Sequence, residues 1–188
     1  MQKHRVFTAI NLPENVKKEL LSYREKWSDL PARWVNENSV HITLNFLGYV
    51  LSQDLMEIFN SVEGAALKHS CFYVKLNRIC YGPKGKVPPR MVWAVGEASS
   101  ELKNLKNDLD KSLDNYENRG FTPHITLARI RAWDFKKIDP EERPEVLQDI
   151  DLSFGVKSIE VMESVLKRSG AEYSILQSYK LGDKSSAF

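Results

Sequence analysis

Apolar residues follow two spacings along this chain, one typical of helices and one typical of strands. The helical spacing predicts three amphipathic helices, over residues 14–30, 55–66 and 102–113. Runs of β-branched and aromatic residues predict strands over residues 5–12, 33–35, 40–50, 71–81, 91–96, 124–130, 156–167 and 171–181. Because strands outnumber helices and the helices occur singly, we expect an α+β fold with antiparallel or mixed sheets.

Four segments interrupt this pattern. Residues 82–90 are rich in glycine and proline and carry the best basic cluster of the sequence, so we predict a loop there. Residues 132–149 are charged and contain two prolines, which predicts an irregular excursion. The last two strands are expected to form a hairpin around Ser169-Gly170, and residues 183–188 a loose tail.

Composition excludes some classes of protein without selecting one. A hydrophobic content of 42% over 188 residues is ordinary for a soluble globular protein. The net charge of +2 is too balanced to predict nucleic-acid binding by itself, although a local basic groove stays open. Cys71 and Cys80 lack the spacing of metal ligands, and we expect reduced thiols. No apolar run approaches the ~20 residues of a membrane span, which favours a cytoplasmic protein, expected to be a monomer.

One tetrapeptide occurs twice. His41-Ile42-Thr43-Leu44 recurs as His124-Ile125-Thr126-Leu127, and both copies lie on predicted strands that follow a helix. Side chains alternate along a strand, so each copy presents histidine and threonine on one face and isoleucine and leucine on the other. If two duplicated halves pack around a pseudo-twofold axis, both His-Thr faces meet in one cleft.

Such a cleft has a specific chemistry. Histidine titrates near pH 6.5 and can give or take a proton at neutral pH. Threonine hydroxyls donate hydrogen bonds to phosphate oxygens without adding charge. Two imidazoles on opposite sides of a phosphorus atom can serve both ends of an in-line displacement, one as base and one as acid. This scheme requires no metal ion or other cofactor.

The chain resembles the two-histidine phosphoesterase superfamily, and within it the RNA 2',3'-cyclic phosphodiesterases, also called 2'-5' RNA ligases. The paired H-x-T-L motifs are typical of the superfamily, and their flanking residues are typical of the branch. The matching segments cover nearly the whole chain: residues 5–10 and 12–13, 41–48, 121–129, Glu163-Ser164 and the closing strand 173–181.

The resemblance implies a single bilobal domain over residues 1–188, with two antiparallel sheets lining a central cleft and helices outside. It implies hydrolysis of 2',3'-cyclic phosphate ends of RNA, or of cyclic nucleotides, to 2'-phosphates. His41 would protonate the leaving 3'-oxygen and His124 would activate water, with Thr43 and Thr126 binding the substrate.

Two further residues follow the motifs at equal offsets, Phe46 and Arg129. By the same resemblance, Phe46 would be a platform on which a base stacks. Arg129 would contact a phosphate or the end of the RNA. Strict alternation would put both on the face opposite the histidines, so they reach the cleft only if each strand twists or bulges. Otherwise Phe46 is a core residue and Arg129 a surface ion pair.

Other functions stay open at this point. A 2'-5' RNA ligase would run the same chemistry in reverse, with a ribose 5'-hydroxyl in place of water. A non-catalytic nucleotide-binding module would have no turnover, although both intact motifs argue against it. A zinc site is disfavoured because no cysteine, aspartate or glutamate lies beside either motif and threonine is a poor zinc ligand.

Overall fold

A computed structural model describes residues 2–116, 120–167 and 170–182. Its strands are β1 (Lys3–Asn11), β2 (Ala32–Trp34), β3 (His41–Leu51), β4 (Phe72–Gly82), β5 (Met91–Gly96), β6 (His124–Ile130), β7 (Leu147–Val156), β8 (Ser158–Lys167) and β9 (Gly170–Lys180). Its helices are α1 (Glu14–Ser22), α2 (Leu55–Ala66), α3 (Ser100–Ser112) and α4 (Ala132–Lys137). This composition confirms the α+β class.

The strands pair antiparallel in the order β7-β4-β5-β6-β3-β1-β8-β9, and β2 pairs with β6. The first half-sheet consists of β3, β1, β8 and β9, and the second of β6, β5, β4 and β7. A single residue pair, Ile42 with Ile125, joins β3 to β6. The two sheets expected from the sequence are therefore two halves of one sheet, joined at this residue pair.

The main hydrophobic core lies on the sheet face that carries Ile42 and Ile125. Apolar residues of α1, α2 and α3, such as Leu20, Val62 and Leu105, are fully buried there. The opposite face of the first half-sheet has a smaller cluster around Phe7. Helices thus cover one face and leave part of the other free.

The chain departs from the sequence prediction in two places. Helix α1 ends at Ser22 rather than at residue 30, and a short 3₁₀ turn follows. Trp27 nevertheless stays in the core, and its indole N–H donates to the carbonyl of Glu145 at 3.0 Å. The predicted irregular excursion over 132–149 contains α4 and the start of β7. Asp149 and Asp151 of β7 form ion pairs with residues of the neighbouring strand β4.

Some sequence predictions fall outside the described residues, or are tested only in part. The tail over 183–188 lies outside them, as does Ser169 of the predicted hairpin turn. The two strands flanking that turn, β8 and β9, do pair with each other. Cys71 and Cys80 carry free thiols. Over the described ranges, no helix combines the length and the apolar character needed to cross a membrane.

A polar network is buried between α3 and β3. Lys106 forms an ion pair with Asp110, and the amide of Asn45 donates to the same carboxylate. The Asn45 backbone N–H donates to the Thr8 hydroxyl at 3.1 Å. Only 5% of the Lys106 side chain and 14% of the Asp110 side chain are exposed. This network fixes β3 against α3 directly after the first motif.

We expect Lys106→Met to lower the free energy of unfolding by about 3 kcal/mol, because it leaves the Asp110 carboxylate nearly buried without its cation. Chemical denaturation would measure the change. Lys103→Met, at an exposed position of the same helix, is the matched control and should stay within about 0.5 kcal/mol of the parent. Equal effects of the two variants would contradict this account of the network.

Candidate active site

The Ile42–Ile125 pair aligns the two repeated motifs across the centre of the sheet. Both isoleucines are fully buried in the core. Alternation then puts the flanking residues of each strand, His41 and Thr43 on β3 and His124 and Thr126 on β6, on the opposite face. One antiparallel pair therefore brings two imidazoles and two hydroxyls together from distant parts of the sequence.

Each motif strand contains a β-bulge at the leucine of its motif. The pairing of β3 with β1 skips Leu44, and the pairing of β6 with β5 skips Leu127. The two strands therefore have the same pattern of burial. In each, two consecutive buried residues are followed by an exposed one, which is Phe46 on β3 and Arg129 on β6. The extra residue resets the alternation, so Phe46 and Arg129 share the histidine face. A bulge in each strand was the condition under which the sequence placed these two residues in the cleft.

These side chains line a cleft of about 530 Å³. All six candidate residues contribute to it: His41, Thr43, Phe46, His124, Thr126 and Arg129. Phe46 is 53% exposed, which excludes the alternative of a core residue. Across the described ranges no carboxylate forms an ion pair with Arg129, whose guanidinium makes a weak contact with Met91 Sδ at 3.9 Å. Both side chains are available to a ligand.

His41 lies in an aromatic surrounding. Its ring centre is 5.1 Å from that of Phe7 and 5.0 Å from that of Tyr173, which meets it edge-on. Burial lowers the pKa of His41 from 6.5 to about 4; a contact with the backbone of Ser39 opposes this shift, and the charges of Lys17 and His124 add to it. The buried Nδ1 atom of His41 has no hydrogen-bond partner within the described residues. In the free protein His41 is therefore neutral at pH 7.

His124 has a different support. Its Nδ1 lies 2.8 Å from the carbonyl oxygen of Thr122, which can only accept, so Nδ1 carries a hydrogen and Nε2 is left for a ligand. Its ring stacks on Trp93, with ring centres 3.9 Å apart and planes at 29°. A Cβ on Gly82 would lie 2.1 Å from the Trp93 ring, so the absence of a side chain at 82 makes room for this stack.

The two threonine hydroxyls remain available for hydrogen bonding. Thr126 Oγ1 makes only a weak contact with Met91 Sδ, at 3.9 Å. Thr43 also lines the cleft, half-buried on β3. Each hydroxyl can therefore donate to an oxygen of an anion held between the two histidines.

The structure adds residues to the cleft that the sequence prediction did not select. Arg33 and Trp34 of β2 and Tyr173 of β9 line it, and Trp93 supports His124 from behind. The sequence predicts a short strand over residues 33–35, one residue beyond the observed β2, but nothing in its pattern indicated that it pairs with β6. Within the described part of the chain, no cluster of three or more His, Cys, Asp or Glu residues could hold a metal ion.

Comparisons with known proteins agree with this arrangement. The family described as LigT-like phosphoesterases matches residues 10–93. The chain is 30% identical to an RNA 2',3'-cyclic phosphodiesterase of Methanocaldococcus jannaschii over 179 residues, covering 93% of this chain and 99% of that protein. It is 29% identical to one of Thermotoga maritima over 181 residues, covering 92% of each.

The fold comparison covers both motifs. The crystal structure of TT0787 from Thermus thermophilus superposes with a TM-score of 0.78 at 26% identity, over 96% of this chain and 99% of that one. On these matches, the chain belongs to the LigT-like phosphoesterase family, and the resemblance carried by the paired motifs is confirmed.

Lowering the pH should destabilise the protein through His41. The unfolded chain takes up a proton near pH 6.5, whereas the folded state does so only near pH 4, so stability is lost as the pH falls between these values. The loss is about 3 kcal/mol at pH 4, from the size of the shift. Denaturation of the parent and of His41→Gln between pH 7.5 and 4 would measure it. Identical pH slopes for the two proteins would contradict the assignment.

Gly82→Ala should displace Trp93 and loosen the stack on His124. We expect a loss of about 1–3 kcal/mol in the free energy of unfolding, as for overpacked sites, together with a changed NMR signal from the His124 ring. Gly64→Ala is the control, because a Cβ there meets nothing within 4 Å and alanine favours a helix. Gly82→Ala with the parent's stability and His124 signal would refute the packing argument.

Proposed function

We propose that this phosphoesterase hydrolyses 2',3'-cyclic phosphate ends of RNA to 2'-phosphates without a metal ion, using His41 and His124 as an acid–base pair. One observation carries the proposal: a single strand pair sets both imidazoles and both threonine hydroxyls on one face of the sheet, inside a cleft. The relatives of Methanocaldococcus jannaschii and Thermotoga maritima, named as RNA 2',3'-cyclic phosphodiesterases over nearly their whole length, support the substrate class.

The proposed step is an in-line displacement at phosphorus. Water attacks the phosphorus from the side opposite the 3'-oxygen, and the bond between phosphorus and that oxygen breaks. One imidazole takes the proton of the attacking water, and the other donates a proton to the leaving 3'-oxygen. The product carries a 2'-phosphate and a free 3'-hydroxyl. Thr43 and Thr126 donate to the non-bridging oxygens as negative charge builds up there.

We assign His41 as the acid and His124 as the base, following the family resemblance. Thr122 supports the second role, because the hydrogen on Nδ1 of His124 leaves Nε2 free to accept a proton from water. The first role requires proton uptake, since burial lowers the pKa of His41 to about 4 in the free protein. A phosphate anion held against the ring raises the pKa of His41 and so offsets the cost of burial.

The remaining candidate residues bind substrate in this proposal. The exposed ring of Phe46 packs against Phe7 at 5.7 Å, which fixes a flat surface on which a base can stack. Arg129 binds an anionic group of the RNA. We propose that the protein acts as a monomer, because one copy of the chain supplies all six residues of the proposed site.

The direct test is hydrolysis of a dinucleotide that ends in a 2',3'-cyclic phosphate, with the products separated as 2'- or 3'-phosphates. We expect a 2'-phosphate, and turnover that persists in excess EDTA. His41→Ala and His124→Ala should each lower kcat by 10²–10⁴, roughly the value of a positioned acid or base. His69→Ala, whose ring pairs with Asp108 away from the cleft, is the control and should change kcat less than about threefold.

Three outcomes would count against this function. A 3'-phosphate product would reverse the assignment of the leaving oxygen. Loss of activity in EDTA would indicate a metal enzyme. A loss below tenfold in both histidine variants would mean that other residues carry the reaction. Joining of RNA ends at high end concentration would instead favour the ligase direction.

A sulfur atom in place of the 3'-oxygen separates acid from base within the same test, because a thiolate leaves without a proton. With this substrate His41→Ala should recover most of its lost rate, whereas His124→Ala should remain slow. Recovery in His124→Ala alone would reverse the two roles.

A further inference from the structure

Three side chains outside the cleft form a chain of hydrogen bonds. His4 Nδ1 lies 2.8 Å from a carboxylate oxygen of Glu163, and His4 Nε2 lies 3.1 Å from the hydroxyl oxygen of Ser52. The three residues belong to β1, to β8 and to a short 3₁₀ turn that precedes α2. Both distances are within the reach expected of a nucleophile, its base and the group that orients the base.

The carboxylate determines which nitrogen of His4 carries the hydrogen. An ionised carboxylate can only accept, so Nδ1 donates to Glu163, and in the neutral ring Nε2 is left to accept from Ser52. The Ser52 hydroxyl also lies 3.3 Å from the carbonyl oxygen of Gln2, but its contact with His4 is shorter. A base is therefore in place to take the hydroxyl proton when Ser52 attacks an electrophile.

The pair behind the serine is shielded from water, whereas the serine is exposed. Only 15% of the His4 side chain and 20% of the Glu163 side chain are exposed, while Ser52 is open to solvent. Water and salt screen a partly buried pair less than a surface pair. Glu163 can therefore orient the ring and stabilise the imidazolium that forms when His4 takes a proton.

Strand pairing puts this group on the face of the sheet opposite the cleft. Glu163 pairs directly with Val6, which lies in the main core under the helices, and residues opposite each other in antiparallel strands share one face. Phe7, the next residue of β1, faces the other side, where it contacts His41 and Tyr173. The group is therefore separate from the histidines of the cleft.

Backbone donors follow the serine directly. Gln53 and Asp54 lie in the first turn after Ser52, where N–H groups have no partner inside the helix. Over the described residues, no side chain caps this turn or the start of α2. The N–H of Gln53 can therefore donate to the negatively charged oxygen that forms when a serine adds to a carbonyl group.

We propose that Ser52, His4 and Glu163 form a second reactive site, at which Ser52 attacks carboxylic esters. The Ser52 oxygen bonds to the carbonyl carbon while His4 takes its proton. The bond from this carbon to the alcohol oxygen breaks, and His4 returns the proton to that oxygen. Water, deprotonated by His4, then releases the acid from Ser52, and the proton goes back to the serine oxygen.

The exposed position of Ser52 indicates the kind of ester. An open surface offers little contact area for a large acyl group, so the chemistry at the ester bond has to supply the reactivity. Short acyl groups on a good leaving alcohol fit this site. The proposal does not depend on the proposed function of the cleft.

Two probes test the proposal on the intact chain: p-nitrophenyl acetate, and an alkyl phosphonofluoridate, which loses fluoride when a serine oxygen attacks its phosphorus. We expect mass spectrometry to find the acetyl and phosphonyl groups on Ser52, and Ser52→Ala to take up neither. His4→Gln should slow the labelling of Ser52 by about 10²-fold, the lower end of what a positioned base contributes.

Glu163→Gln tests the positioning residue. Labelling of the parent should rise with pH as His4 loses its proton. In Glu163→Gln the midpoint of this rise should move to lower pH, because the neutral amide no longer stabilises the imidazolium. A change of packing alone would alter the rate without moving the midpoint. This variant also carries the test if His4→Gln does not fold.

Ser22→Ala is the matched control, because Ser22 is an exposed serine whose hydroxyl donates to the carbonyl of Glu19 at 2.7 Å. Ser22 should stay unlabelled, and the variant should label at the parent's rate. Three results overturn the proposal: phosphonyl groups spread over the exposed serines, labelling of Ser52 at the parent's rate in His4→Gln, or an unchanged midpoint in Glu163→Gln.

Discussion

The contact between Ile42 and Ile125 is the constraint on which the rest of this site depends. It is the one point where the two half-sheets meet in register, and it sets both the direction and the facing of the motif strands. A shift of one residue at this pair would turn the histidines into the core and the isoleucines into the cleft. Because both isoleucines are fully buried under the helices, such a shift would expose apolar surface and is strongly disfavoured.

The same sequence motif serves in two different environments. His41 lies among aromatic rings, and burial lowers the pKa of its imidazole. His124 stacks on Trp93 and donates through Nδ1 to a backbone carbonyl. The difference comes from the strands behind each motif, since β1 and β9 surround the first histidine and β5 the second. Repetition in the sequence therefore does not make the two histidines chemically equivalent.

Much of the fold and the central site can be predicted from the sequence, because strand alternation is a local property. It is enough to put histidine and threonine on one face of each motif strand, whereas the meeting of the two faces in one cleft was inferred from the repeat itself. It fails at Phe46 and Arg129, since the bulges at Leu44 and Leu127 depend on the register of neighbouring strands.

Other errors have similar causes. The alternation of Ile150, Leu152 and Phe154 was present in the sequence but lay beside a charged segment, which hid the edge strand β7. Arg33 could not be found from its own segment, because its place in the cleft depends on the pairing of β2 with β6, which is distant in sequence.

The strand order also determines when each histidine acquires its surroundings during synthesis. The second half-sheet is built from one continuous stretch, β4 to β7, whereas the first combines β1 and β3 with β8 and β9 from the far end of the chain. Trp93 precedes His124, so the ring behind that histidine is already present when it leaves the ribosome. Tyr173 follows His41 by more than a hundred residues, and the earlier histidine is the last to be enclosed.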